Sequence, residues 1–320
     1  SKHTKLKIMK LKNIILSVIA LMLSGIFCQA TTLIVDSHYP RPAGVYATIQ
    51  LAYNAASAGD TILISPASGE YAGITIAKRI NIIGTGWINA SPSVPHAKTS
   101  GFTFNAGAQG SSITGLDVNG MSDINTDSIT LKRNKLQYIW VRANSTNIVI
   151  QQNHIQGSRT DCCNWQNSTV INILENSEVF ISNNVIINTY YGSYTQYGIA
   201  TSYPVNLIVC NNVIKAEDTS ISIAMSGGNY SSHAVYNNIV LGGSLYGITV
   251  DYDCNNHNIG NTTQFGTINN NQQNVDMNTV FVDAANNNYH LKEGSPAIGA
   301  GVGGTDCGIY GGNHPFVDNG

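Results

Sequence analysis

Six cationic side chains crowd a short stretch of a chain otherwise poor in positive charge: Lys132, Arg133, Lys135, Arg142, His154 and Arg159. Such a group suits one reaction in particular. Eliminative cleavage of a uronic acid polymer needs a cation, either a metal or Arg/Lys, to stabilise the charge developing on the carboxylate. It also needs a base of tuned pKa to take the α-proton. Lys132, Arg142 and Arg159 are the candidate catalytic residues for this chemistry. A solvated basic face is the alternative use of the same residues.

A second group suits binding. Nine of the 16 tyrosines lie between Tyr190 and Tyr252, and an aromatic ring with a polar tip offers a sugar both a flat apolar face and a hydrogen bond. Trp165, Tyr191, Tyr194, Tyr197, Tyr230 and Tyr252 are the candidate substrate-binding residues; packing loops against a scaffold is their structural alternative. Acids are scattered. Asp251 and Asp253 have strand spacing and would share a face, with Glu217 and Asp218 one repeat earlier, so calcium could be held there. Two carboxylates are a weak calcium signal, and they support hydrolysis no better. No cofactor is required by either reading.

The elements that must position these residues repeat. SITLKRNKL (128–136), NIVIQQNHI (147–155), EVFISNNVI (178–186), NLIVCNNVI (206–214) and HAVYNNIV (233–240) superimpose as apolar-x-apolar-x-x-Asn-x-apolar. In register, Leu131, Ile150, Ile181, Val209 and Val235 form an apolar column, and Asn134, Asn153, Asn184, Asn212 and Asn238 form a column of asparagines. The steps are 19, 31, 28 and 26 residues. Periods in this range signal a solenoid. Apolar residues at every second position are the period of a strand with one buried face, and Ile and Val replace the leucine framework of leucine-rich repeats. Each Asn suits a corner, because it tolerates left-handed backbone and can stack in an amide ladder. The expectation is an all-β parallel β-helix. Charged residues at only 11% and 31 glycines agree with a turn-rich solenoid.

Residues 1–30 read as an export signal: Lys10 and Lys12, the apolar run Ile14 to Phe27, then Cys28-Gln29-Ala30. The natural start is expected at Met9 and cleavage after Ala30. The run is shorter than the ~20 residues of a spanning helix, so no stable membrane insertion is expected after cleavage. Five of the 16 basic residues fall in this segment with no acid, leaving residues 31–320 with 11 basic and 18 acidic residues and a formal charge of −7. That field disfavours nucleic acid as a partner. Five cysteines remain, an odd number, at spacings that fit neither a disulfide scaffold nor zinc. A Cys254–Cys307 bridge would pin the closing segment over the open end; Cys162 and Cys163 could pair with each other.

Residues 47–58 are the one good helix, with Ile49, Ala52, Tyr53 and Ala56 on one face and Gly59-Asp60 as the stop. Its expected role is to cap the N-terminal end of the stack. Strand-like TILIS (61–65), GITIA (73–77), INIIG (80–84), FTFNA (102–106) and SITGLDV (112–118) follow. The order TIQLAYNAASAGDTILISPASGEYAGITIAKRINIIGTG resembles the opening of right-handed parallel β-helix proteins of the pectin-lyase-like superfamily. FVDAANNNYHLKEGSPAIGAGVGGTDCGIYGG (281–312) resembles the closing segment of secreted bacterial members. The resemblance covers roughly residues 45 to 312. It implies a single domain over 31–320 and a right-handed solenoid, and such scaffolds host many functions. The Gly-His-Gly and paired-aspartate segments of the polygalacturonase branch are absent, which disfavours that hydrolysis.

Two functions remain as expectations. The first is a secreted or cell-surface monomer that binds extracellular polysaccharide or cell-surface glycan through a tyrosine-rich loop flank, without catalysis. The alternative is a polysaccharide lyase that cleaves a uronic acid polymer by β-elimination. Extra residues in the long repeats, at 159–165, 189–198, 225–232 and 245–258, are expected to gather on that binding flank. Ice binding is disfavoured, because repeats of unequal length make no regular threonine array.

Overall fold

The columns read from the sequence are the columns of the structure. A computed structural model describes residues 30–87, 96–157, 169–188, 197–202, 205–216, 221–225, 233–242, 244–246, 255–261 and 270–318. It is mostly strand, in two long parallel sheets of 11 and 14 strands and one short antiparallel pair, Phe281–Asp283 with Asn288–Leu291. In the first sheet Leu131 pairs in register with Ile150, Ile150 with Ile181, Ile181 with Val209, and Val209 with Val235. The column extends back through Ile113 and Ile82 to Ile62. All of these side chains are buried, each contributing about 1.5–3 kcal/mol relative to exposure.

The second sheet has two rows. Strand Lys135–Val141 serves both: Lys135 and Leu136 pair with His154 and Ile155, whereas Ile139–Val141 pair with Ile171–Ile173. The row beside the asparagines continues through His154–Gly157, Val185–Asn188, Val213–Ala216, Ile239–Leu241 and Ile259–Gly260. The far row continues through Thr169–Ile173, Tyr197–Thr201, Ile221–Met225 and Ser244–Tyr246. Along the chain, each repeat visits the first sheet, then the asparagine-side row, then the far row.

The asparagine column is buried and continuous. Asn153 Oδ1 accepts from both the backbone N–H (2.9 Å) and Nδ2 (3.1 Å) of Asn134. The same double contact joins Asn153 to Asn184, Asn184 to Asn212 and Asn212 to Asn238. It continues to Asn258 and Asn271, two rungs beyond the sequence motif. Each Nδ2 also donates to a strand carbonyl of the preceding repeat, as Asn184 does to Ile150 O at 2.8 Å. The left-handed backbone expected of these asparagines belongs instead to the residue before each. Arg133, Gln152, Asn183, Asn211, Asn237 and His257 all have φ between 55° and 58°. The positive φ reverses the chain, and the next side chain can then turn inward.

Those left-handed residues hold the C-terminal segment, which runs back along the ladder corner as well as lying near the last repeat. His257 Nδ1 meets Ala300 O, and Asn237 Oδ1 accepts from Val302 N. Asn211 Nδ2 donates to Asp306 O and Gly308 O, Asn183 Nδ2 to Ile309 O and Gly311 O, and Gln152 Nε2 to His314 O and Pro315 O. The approach is close: a Cβ at Gly311 would lie 2.8 Å from Asn211 Nδ2. Beneath the segment a second apolar cluster forms, in which Val185, Ile187, Val213, Ile239 and Ile259 meet Val280, Phe281, Tyr289 and Ile309. Cys307 is a free buried thiol whose Sγ donates to His257 O at 3.2 Å, and Cys210 is also free. Cys307 therefore anchors the segment as a thiol, not through the expected bridge; Cys254, Cys162 and Cys163 lie outside the described residues.

The helix is Ile49–Ala55, shorter than expected. Thr48 caps it by accepting from Leu51 N. Asp60 ends it early, accepting from Ser57 N and Thr31 N at 2.7 Å each. Ile49 and Ala52 are buried against the first strands. Among the described residues no helix is long and apolar enough to cross a membrane.

Asn184→Leu or Asn212→Leu is expected to destabilise the fold by roughly 1–3 kcal/mol, through donors and carbonyls left unpaired in the core; urea unfolding measures it. Asn211→Gly keeps the left-handed backbone but removes both contacts to the C-terminal segment. Limited proteolysis between residues 300 and 315 should accelerate while the far-UV CD spectrum is unchanged.

Candidate functional site

The ladder closes one corner of every repeat, so added chain length leaves elsewhere. Gly157, Asn188 and Ala216 pair in register at the end of the asparagine-side row, and Thr169, Tyr197 and Ile221 pair at the start of the far row. Residues 158–168, 189–196 and 217–220 fall in sequence between these strand ends, and residues 203–204, 226–232 and 247–254 between far-row strands and the next first-sheet strands; all lie outside the described residues. The expected gathering of residues 159–165, 189–198, 225–232 and 245–258 on one flank therefore falls mostly outside the described residues.

On the far row, buried Ile139, Val141, Ile171 and Ile173 alternate with half-exposed Trp140 and polar Asn172. Asp123, Trp140, Asn172 and Ala200 are lateral neighbours. Arg142 stacks on Trp140, its guanidinium carbon 4.2 Å from the ring centroid. It grips Asp123 with both ends of its fork, Nε–Oδ1 at 2.6 Å and Nη2–Oδ2 at 2.9 Å. The bidentate geometry fixes the guanidinium and neutralises it.

Three of the sequence-derived candidates, Lys132, Arg142 and Tyr197, lie among the described residues. Lys132 ends a first-sheet strand beside Thr114 and Gln151, its pKa lowered by desolvation and then by adjacent Arg133. Arg142 follows a far-row strand and is paired to Asp123, so these two belong to different sheets. Arg133 occupies the left-handed corner and donates to Gln152 Oε1. Tyr197 opens a far-row strand, half-buried, its carbonyl accepting from Asn188 Nδ2 at 3.0 Å. Arg159, Trp165, Tyr191, Tyr194, Tyr230, Tyr252, Asp251 and Asp253 lie outside the described residues. Among the described residues no group of three or more His, Cys, Asp or Glu side chains could hold a metal.

Lys135 and His154 lie together, beside a polar groove of about 410 Å³. Glu70, Lys98, Asp117, Asn119, Lys135, Leu136, Gln137 and Gln156 line it. Asp117 is 8% exposed and accepts from His96 Nε2 at 2.9 Å and Lys135 Nζ at 3.3 Å. Glu70 Oε2 accepts from Asn119 Nδ2 at 3.0 Å, and Asn119 Oδ1 from Gln137 Nε2. His154 sits edge-on to Trp87, ring centroids 5.4 Å apart, and burial lowers its pKa.

Most of the groove escaped the sequence reading, because Glu70 and Asn119 are 49 residues apart. One signal was available. Carried along the asparagine-side row, the repeat register gives an outward column of Lys98, Asp117, Lys135, His154, Val185, Val213, Ile239 and Ile259. The column turns from polar to apolar where the C-terminal segment begins to cover it. Compared with family models, with curated proteins and with solved structures, the chain matches none.

Burial of His154 has a consequence with a definite sign. Its folded pKa lies below the ordinary 6.5, so below that pH the unfolded chain takes up a proton that the folded protein refuses. Stability should fall as pH drops through about 6.5, and Tm measured from neutral to mildly acidic pH should decline less steeply in His154→Asn. His233, also lowered by burial, keeps part of the slope.

Proposed function

We propose that this chain is an exported right-handed parallel β-helix of the pectin-lyase-like type, with the helix Ile49–Ala55 capping its first turn. In this reading it binds extracellular or cell-surface polysaccharide along the far row, without catalysing cleavage. One observation carries the proposal: the far row presents Trp140 beside polar Asn172, with Arg142 and Asp123 locked next to it. Parallel strands lie about 4.8 Å apart, so four of them offer roughly 15 Å, enough for a few sugar units. The aromatic residues expected to bind sugar, Trp165, Tyr191 and Tyr194, precede far-row strands in sequence. An eliminative mechanism would need a free cation at a substrate carboxylate. Arg142 already serves Asp123, and Lys132 lies in the other sheet.

The test is affinity electrophoresis of the secreted protein through soluble polysaccharides. Trp140→Ala and Tyr194→Ala should each weaken retention several-fold, the range of one lost aromatic contact, with Tm nearly unchanged. Incubation with polyuronates should produce no rise in ultraviolet absorbance from unsaturated product. Such a rise would move the protein to the lyases.

A further inference from the structure

We infer that the groove bounded by Glu70, Lys98, Asp117, Lys135 and the carboxamides Asn119, Gln137 and Gln156 is a subsite for an uncharged, hydroxyl-rich sugar unit. The glycan is then a neutral polysaccharide and not a polyuronate. The inference rests on the polysaccharide-binding reading above and narrows it.

The first argument is electrostatic. The lining carries two cations and two carboxylates, and its buried charge is already matched. Asp117 Oδ2 takes both Lys135 Nζ and His96 Nε2, while Glu70 is held by Asn119. A uronate entering here would lose its hydration, meet two carboxylates and compete with Asp117 for Lys135; uncompensated burial of a charge is costly. Arg142, a cation at the far end of the same strand, is closed to it by Asp123. Sugar hydroxyls suit the lining better. Each donates and accepts, and the groove offers carboxylate and amide oxygens as acceptors together with ammonium and amide N–H groups as donors.

The second argument is position and size. Asn119 and Gln137 follow Val118 and Leu136 within strands that also pair in the far row. The groove therefore adjoins that row. Its volume of about 410 Å³ falls in the range of small-molecule sites, and Leu136 is its single apolar lining residue. An apolar ligand would find little to bury there, whereas a monosaccharide unit would find polar groups on every side.

The experiment uses the full chain with soluble β-glucan, galactomannan and galactan as neutral probes and polygalacturonate and alginate as acidic ones, at low and high salt. At least one neutral polymer should be retained, with an affinity that salt leaves unchanged. Asn119→Ala/Gln137→Ala should weaken that binding about tenfold at unchanged Tm, the scale of one or two lost hydrogen bonds. Gln156→Ala repeats the test through a residue outside that pair. Retention by polyuronates alone, falling as salt rises, would overturn the neutral-sugar assignment while leaving polysaccharide binding intact. Neutral binding abolished by Trp140→Ala but untouched by all three groove substitutions would remove the groove as a subsite. Retention of neither class would overturn both readings.

Discussion

A carboxamide buried in a protein core must have all four of its hydrogen-bonding positions filled, and this requirement governs the whole chain. Each ladder asparagine from Asn153 to Asn258 meets it through its neighbours. Its Nδ2 serves one carbonyl of the preceding repeat and the Oδ1 of the next asparagine, which also takes its backbone N–H. The arrangement works in only one register. A slip of one residue would turn the Ile and Val columns outward and leave the amides unpaired, so packing and polar satisfaction select the same alignment.

Closing one corner this tightly decides what the rest of the surface can do. A single left-handed residue and a buried asparagine leave no room there for extra chain, and the variable lengths fall, in sequence, before and after the far-row strands. The left-handed residues also point their side chains outward at a regular spacing, one per repeat. Asn183, Asn211, Asn237 and His257 use them to hold the C-terminal segment. That segment shields the apolar outer surface of the later repeats. In the earlier repeats the same outer positions are Lys98, Asp117, Lys135 and His154, and a polar groove takes its place.

Charge within this fold is handled in pairs. Arg142 with Asp123, and Lys135 with Asp117, are partly buried contacts between adjacent repeats. Two of the cations that cluster in the sequence, Lys135 and Arg142, are therefore matched by carboxylates one repeat away. The pairing follows from the stacking itself: residues 18 or 19 positions apart become lateral neighbours, and opposite charges at such positions are favourable cross-strand partners.

What could be read from the chain alone was whatever repeats. The Leu131-to-Val235 column, the asparagine ladder, the parallel strands and the helix near its expected place all follow from local patterns, because each residue's partner occupies the same position one repeat later. The tertiary structure decided the rest. It put the left-handed turn on the residue before each ladder asparagine, since that side chain has to face inward. It separated Lys132 from Arg142 by placing them in different sheets, and it brought Glu70 to Asn119. It also laid residues 300–315 along the corner through contacts between residues up to 163 positions apart. The last three have no period to betray them. They depend on which surfaces meet once the chain has folded back, and the alternation of apolar and polar residues within one strand carries no information about that.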